Sequence, residues 1–172
     1  MPSHLMKPVA VDLNGSTSQL AHLDTLKKFR IVIRSAQRHS AWVEKQCGVS
    51  GAQLWVMQEL HEHSGLRVGE IARRMAIHQT TASNLLDSLE RRGYVVKTRD
   101  RDDQRVVKLA LSDQGAELLL RAPAPARGLL TEALRKLDAP DLLKLNEGLQ
   151  ALLECMDGEE AGHGLQPLPF TL

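Results

Sequence analysis

Residues 68–93 read VGEIARRMAIHQTTASNLLDSLERRG, and this stretch predicts two short helices joined by a tight turn. In its second half the apolar residues Ala82, Leu85 and Leu89 recur at helical spacing, which predicts a helix over 78–92 with one buried side. Gly93 marks the end of that helix, and the first helix is predicted over 68–75.

The opposite side of the 78–92 helix is polar near its amino end. Its side chains are short or carry amides, so they can donate and accept hydrogen bonds toward base edges and phosphates. The amino end of a helix also carries partial positive charge, which favours phosphate. A helix that enters the DNA major groove by its amino end needs such groups, although a solvated polar face is the plain structural alternative. The candidate DNA contacts here are Gln79, Thr80, Thr81, Ser83 and Asn84.

Two β-rich runs follow, at residues 94–99 and 105–111, with a polar loop between them. They predict a hairpin that must pack on helices, because an isolated hairpin is marginally stable. Arginine suits the narrow, electronegative minor groove of DNA, so Arg99, Arg101 and Arg105 are candidate contacts. We expect Asp103 to orient Arg105 through a charge-assisted pair. The alternative is a hairpin whose charges only pair with one another.

The charge distribution supports a DNA-binding centre. The whole chain has a net charge of +1, but residues 67–108 contain ten basic and six acidic side chains. The rest of the chain is therefore net acidic. A basic middle between acidic arms is typical of a nucleic-acid-binding domain with separate assembly helices, although chance clustering on a solvated surface gives the same count.

The flanking sequence is mostly helical. A long helix is predicted from residue 18 to Gly48, and a second over 51–63 with Ser50 as its cap. Ser112 caps a later helix that Pro123 and Pro125 interrupt near 122–127, before helix resumes over about 128–137. The last helix begins near Asp138 and carries an apolar seam that requires a partner helix, either in the same chain or in a second copy. The seam consists of Leu142, Leu145, Leu149, Leu152 and Met156.

Composition narrows the functional class. With 172 residues, of which 42% are hydrophobic and 25% charged, the chain is an ordinary globular protein. It has no apolar run long enough to span a membrane, and its two cysteines cannot form a disulfide scaffold. Because residues 1–12 lack a long apolar core, we expect no signal peptide. We expect a cytoplasmic, mainly α protein without catalytic residues, cofactor or metal, since phosphate-loop, dinucleotide, zinc and nucleophile motifs are missing from the sequence. His61 and His63 are the candidate metal ligands, but they are two residues apart and do not share a helix face, so the sequence does not favour a metal site there.

Four segments together resemble one family. Residues 68–72 (VGEIA), 79–95 (QTTASNLLDSLERRGYV), 100–105 (DRDDQR) and 109–115 (LALSDQG) are similar to winged helix-turn-helix regulators of the MarR (multiple antibiotic resistance regulator) family. The Asp-x-Arg wing tip and the Leu-Ser-x-x-Gly exit are the sharpest of these motifs, and the similarity in layout extends from about residue 20 to 157.

This resemblance implies a homodimer that binds a pseudo-palindromic operator in double-stranded DNA, with recognition helices in successive major grooves and wings in the flanking minor grooves. It also implies a division of the chain, which we expect to comprise a flexible arm (1–17), a dimerisation helix (18–48), the winged helix-turn-helix domain (49–111), carboxy-terminal dimerisation helices (112–157) and an extended tail (158–172).

The resemblance further implies repression that is relieved by a small aromatic acid or phenol. Trp42 and Trp55 offer aromatic walls, and His39 and Arg38 add polar and cationic groups, so these four are the candidate ligand contacts. Ordinary packing of both tryptophans is the alternative. A redox sensor based on Cys47, near Lys45, is a second possibility, and a winged helix that binds protein instead of DNA is a third.

Overall fold

The computed structural model describes residues 13–100, 105–156 and 164–172. The chain divides into two compact units, residues 1–34 and residues 35–172. The described part of the first unit belongs to helix α1, Leu13–Cys47. This helix begins five residues before the predicted start at 18. The prediction missed residues 13–17 because they lack the apolar periodicity on which it relied. Residues 1–12 of the predicted arm lie outside the described residues.

Three helices follow, of which the second and third are the predicted pair and the first packs against both. Helix α2 is Gly51–Glu62, α3 is Val68–Met75 and α4 is Gln79–Arg91. Ser50 caps α2 through a reciprocal pair of hydrogen bonds with Gln53, as the sequence predicted. The turn between α3 and α4 passes through Ala76, whose φ of 52° ends α3 in the left-handed conformation.

The wing is an antiparallel pair of strands, β1 (Val95–Arg99) and β2 (Val107–Leu111), in the register Val95 to Leu111 and Arg99 to Val107. Leu66, just before α3, adds an isolated bridge to Leu109 on the other side of β2. The N–H of Gly65 donates to the Leu109 carbonyl, and the N–H of Leu109 donates to the Leu66 carbonyl. This third segment was not foreseen, and it supplies part of the support that a lone hairpin needs.

The carboxy-terminal part agrees with the predicted breaks. Helix α5 is Asp113–Arg121 with Ser112 as its cap, α6 is Leu129–Lys136, and α7 is Ala139–Glu154 with Asp138 as its cap. The tail differs from the prediction. Its described residues 164–172 do not run extended but fold back on the body and include a 3-10 helix, Pro169–Thr171.

The core lies between α2, α3, α4 and the wing. Its largest fully buried side chains in the described residues are Leu54, Met57, Leu60, Ile71, Leu86, Leu89 and Leu109. Val43 from α1 and Val95 from β1 also belong to it. This core fixes α4 on a rigid base and leaves the polar side of the helix outside. Within the described ranges, no helix is both long and apolar enough to cross a membrane.

Candidate nucleic-acid interface

Helix α4 presents the predicted polar face to solvent because its apolar side is used by the core. Ala82, Leu85, Leu86 and Leu89 are buried. Of the five predicted contacts on this helix, Gln79, Thr80 and Asn84 are exposed and Thr81 and Ser83 are half-buried. The structure therefore places these five side chains together over the first two turns of α4.

A basic groove adjoins the amino end of α4. It lies between the start of α3, the start of α4 and the beginning of β2, and it is lined by Arg67, Arg73, Gln79 and Arg105 among others. At Gly69 a Cβ atom would lie 3.8 Å from both Arg73 Nη1 and Gln79 Oε1, so the guanidinium and the amide flank the glycine. Arg67 and Arg73 belong to the basic segment 67–108, but the sequence pattern did not predict them at the interface. Their placement depends on how α3 packs against the wing.

Of the three wing arginines that the sequence predicted as DNA contacts, two lie in the described residues. Arg99, at the end of β1, and Arg105 are both exposed. Arg101 and Asp103 lie outside the described residues, so the expected pair between Asp103 and Arg105 stays a prediction. Asp100, at the base of the loop, forms an ion pair with Lys108 across the hairpin.

A lysine holds the wing against the recognition helix. Lys97 Nζ on β1 lies 2.6 Å from Asp87 Oδ1 and 2.7 Å from Glu90 Oε2, both on α4. The hydrogen bonds with Asp87 and Glu90 raise the pKa of Lys97, and the bond from Lys97 lowers the pKa of Asp87. Lys97 thereby compensates two carboxylates on a surface where negative charge would repel phosphate.

A cavity of about 230 Å³ lies within the second compact unit, between residues of α1, α2, the end of α3 and the segment before α6. Its walls include His39 of α1, Trp55 of α2 and Arg127, which belongs to the segment between α5 and α6. His39 Nε2 donates to the Pro125 carbonyl at 3.0 Å, and Trp55 Nε1 donates to Glu59 Oε1 at 3.0 Å. The space is lined mainly by apolar side chains with a few polar groups, as in small-molecule sites.

Two of the four predicted ligand contacts line this cavity, and two do not. Among the described residues, the lining includes His39 and Trp55 but not Arg38 or Trp42. Trp42 is 49% exposed and meets His39 edge-on, with ring centroids 6.0 Å apart. The cation at the cavity is Arg127 instead of Arg38. It is too far along the chain for helical spacing to have associated it with Trp55.

The described cysteines and histidines add no observation that favours redox or metal sensing. Burial raises the pKa of the Cys47 thiol, and this outweighs the nearby charge of Arg121, which lowers it. A raised pKa means less thiolate, contrary to the effect expected from Lys45. Cys155, which follows α7, is exposed. In the residues that the structure describes, no three metal-binding side chains cluster.

Comparison with known proteins identifies the family. A family model described as MarR family matches residues 48–106. The HTH-type transcriptional repressor MdtR of Bacillus subtilis (strain 168) is 30% identical over 118 residues, which are 69% of this chain and 76% of that protein. The crystal structure of YusO from Bacillus subtilis is 26% identical with a TM-score of 0.50, and the match covers 84% of this chain and 99% of that one. The transcriptional regulator BldR from Sulfolobus solfataricus is 25% identical with a TM-score of 0.51, covering 80% and 96%.

These matches agree with the fold. The mainly helical chain with a two-stranded antiparallel wing was predicted from the sequence, and the similarity to solved winged-helix structures confirms it. Members of the matched family are transcription regulators and not enzymes, which confirms the expectation of a non-enzymatic protein. The chain belongs to the MarR family of DNA-binding winged helix-turn-helix transcription regulators.

Proposed function

We propose that this protein is a cytoplasmic, homodimeric repressor that binds a pseudo-palindromic DNA operator and is released by a small aromatic acid or phenol. The observation that carries the proposal is one continuous surface, formed by the polar face of α4, the basic groove and the wing. Arg67, Arg73 and Arg105 line the groove at the end of the helix that bears Gln79 and Asn84. Repression is the activity that the name of the similar protein MdtR states for that protein.

Each part of the surface has its own role in the proposal. The amide and hydroxyl side chains of α4 read base edges in the major groove. Arg67 and Arg73 bind phosphates and fix the position of the helix on the duplex. Arg99, Arg101 and Arg105 enter the flanking minor groove, with Asp103 holding Arg105. Binding through several phosphates makes the affinity fall steeply as salt rises.

The cavity is the proposed effector site. A volume of about 230 Å³ suits a molecule with one aromatic ring, since an apolar cavity of about 150 Å³ already holds benzene. His39, Trp55 and Arg127 are among its lining residues, and in the proposal Arg127 supplies the positive charge for a carboxylate or phenol oxygen. Arg127 donates to Glu59 and Glu62, so an acidic effector would compete for a cation that is already paired. Such competition gives the effector a route to alter the packing of α2.

The experiment titrates the full-length protein against DNA from upstream of its own gene, at low and physiological salt, with unrelated DNA as competitor. The variant Arg105→Ala is compared with Arg135→Ala, which removes the same charge from an exposed position on α6. We expect tight, competitor-resistant and salt-sensitive binding that Arg105→Ala weakens about tenfold or more. Arg135→Ala is expected to leave it nearly unchanged.

A second arm adds benzoate at up to millimolar concentration and records tryptophan emission in the Trp42→Phe background, where Trp55 alone reports on the cavity. Quenching together with release of the DNA supports the effector site. Equal affinity for both DNAs, also for fragments selected from the genome, would instead favour a winged helix that binds a protein partner. Unchanged affinity of Arg105→Ala would exclude the wing contact.

A further inference from the structure

Residues 164–172, here called the C-terminal strap, connect α1 with the start of the recognition helix. The Leu165 carbonyl accepts a hydrogen bond from the N–H of His78 at 3.0 Å. At the other end, Ser40 Oγ on α1 donates to the Phe170 carbonyl at 2.7 Å. His78 is the cap residue of α4, so the strap holds the point at which the recognition helix begins.

The seat of the strap is built into the body. Ser40 is only 6% exposed, and the strap carbonyl is the partner of its hydroxyl. A buried hydroxyl without a partner is costly, so the seat favours an occupant that can accept a hydrogen bond. Gly51, the first residue of α2, leaves the necessary space, since a Cβ there would lie 3.0 Å from Ser40 Oγ and 3.8 Å from Thr171 Cβ.

The strap also forms one wall of the effector cavity. Facing His39 and Trp55, it contributes Gly164, Gln166, Pro167, Leu168, Phe170 and Thr171. A molecule that fills the cavity therefore contacts the strap, and one much larger than a single ring competes with the strap for the same space. Beyond the cavity, Leu172 lies in a cleft with Thr81 and Asn84, two of the proposed DNA-reading residues.

We propose that the strap is an intramolecular occupant of the effector groove, and that its displacement releases the start of α4 and weakens DNA binding. This inference rests on the proposed function, because it gives the effector site its coupling to the recognition helix. Seated, the strap forms one wall of the groove and ties His78 to α1 through Ser40. Displaced by a ligand larger than a single ring, it withdraws both hydrogen bonds at once, so such a ligand and the seated strap exclude each other.

The test compares two full-length variants with the same new charge. Phe170→Asp places a carboxylate in the half-buried seat, whereas Leu165→Asp places it on a side chain that is 45% exposed and outside the cavity lining. The probe is 8-anilinonaphthalene-1-sulfonate, a dye with two ring systems that binds exposed apolar surface. We expect Phe170→Asp to increase bound-dye fluorescence several-fold and Leu165→Asp to leave it near the wild-type level.

Hydrogen exchange and DNA binding complete the test. With the strap released, the His78 N–H loses its acceptor, so we expect at least tenfold faster exchange at that amide in Phe170→Asp. DNA affinity is expected to fall several-fold in the same variant. Ser40→Ala, which keeps the strap sequence intact, is expected to shift all three readouts in the same direction by less.

Equal exchange and equal dye binding in the two aspartate variants would overturn the strap as an occupant of the groove. A released strap with unchanged or tighter DNA binding would overturn its coupling to α4. If the wild-type protein binds no DNA, the proposed function fails, but the dye and exchange measurements still decide whether the strap occupies the groove.

Discussion

Gly115 is the residue on which the exit from the wing depends. Ser112 Oγ accepts from the Gly115 N–H at 3.0 Å and donates to the Gly93 carbonyl at 2.6 Å. The Ser112 N–H in turn donates to the Tyr94 carbonyl at 3.1 Å. These bonds draw the first turn of α5 onto the start of β1, so close that a Cβ on Gly115 would lie 2.2 Å from the Tyr94 oxygen. The Leu-Ser-x-x-Gly motif is thus a cap and a close contact combined.

Gly115→Ala is expected to destabilise the protein by about 2–3 kcal/mol, because the added methyl group must push backbone apart in a packed region. Gly148→Ala is the matched control. At that helical position no described residue lies within 4 Å of the added Cβ, and alanine favours a helix over glycine by about 0.5–1 kcal/mol. Urea unfolding followed by circular dichroism at equal protein concentrations measures both. A Gly115→Ala variant as stable as the wild type would contradict the close contact.

Sequence alone predicted the residues whose role is local. Ser50 and Ser112 act as caps because a cap requires only a hydroxyl before a helix and a free N–H two or three residues later. Arg127 and Arg73 were not predicted as parts of a site, since each acquires its role from elements distant in the chain. Their partners are set by tertiary packing, which no spacing rule contains.

At the scale of elements, α2 and the segment between α5 and α6 are joined by charges. Arg127 Nε donates to Glu59 Oε1 at 2.9 Å, and its terminal nitrogens donate to Glu62. Glu59 is buried and also accepts from Trp55 Nε1 at 3.0 Å and Arg74 Nη1 at 3.4 Å. A buried carboxylate needs several donors, so removing one of them is costly. Two members of this cluster, Trp55 and Arg127, also line the cavity.

The cluster makes the stability depend on pH. The hydrogen bond from Arg127, followed by that from Gln58, lowers the pKa of Glu62 from 4.5 to about 2. Because the folded pKa is the lower one, the stabilisation from Glu62 is fully present above pH 4.5 and is lost as the pH falls toward about 2. Its size is about 1 kcal/mol, since Glu62 is 37% exposed and solvent screens the pair.

We therefore expect Glu62→Gln to be less stable than wild type at pH 6 and to approach it at pH 3. The measurement is urea unfolding at both pH values. Glu117 is an exposed carboxylate on α5, and Glu117→Gln serves as the control. Its free energy of unfolding should differ from that of wild type by the same amount at both pH values. A constant difference between wild type and Glu62→Gln across the two pH values would contradict the assignment.

Element boundaries show where sequence patterns fail. Those marked by a cap, a glycine or a proline were predicted within a few residues, including the break between α5 and α6. The start of α1 was missed because 13–17 is poor in apolar residues. The strap was expected to be extended because it has glycine and proline without periodicity, but hydrogen bonds to Ser40 and His78 determine its path.

At the scale of the whole molecule, α7 points to a second copy. The structure describes every residue of this helix and none of them is buried. Its predicted seam is accordingly open, with Leu142 42%, Leu145 39%, Leu149 36% and Leu152 43% exposed. Such an exposed apolar stripe supports the proposed homodimer. Membership in a family of DNA-binding transcription regulators supports it as well. Each copy would then place one recognition helix on one half of the operator.

The double variant Leu145→Asp/Leu149→Asp is expected to be monomeric at micromolar concentration, because two charges on the seam would be buried unpaired in a dimer. A monomer engages one half-site, so DNA affinity should fall by about 100-fold or more. Leu143→Asp, at a position 62% exposed on the other side of α7, is the matched control and should stay dimeric. Sedimentation equilibrium gives the mass, and fluorescence anisotropy of labelled operator gives the affinity. A double variant that remains dimeric would show that α7 is not the interface, whereas a monomer with wild-type affinity would show that DNA binding does not need the dimer.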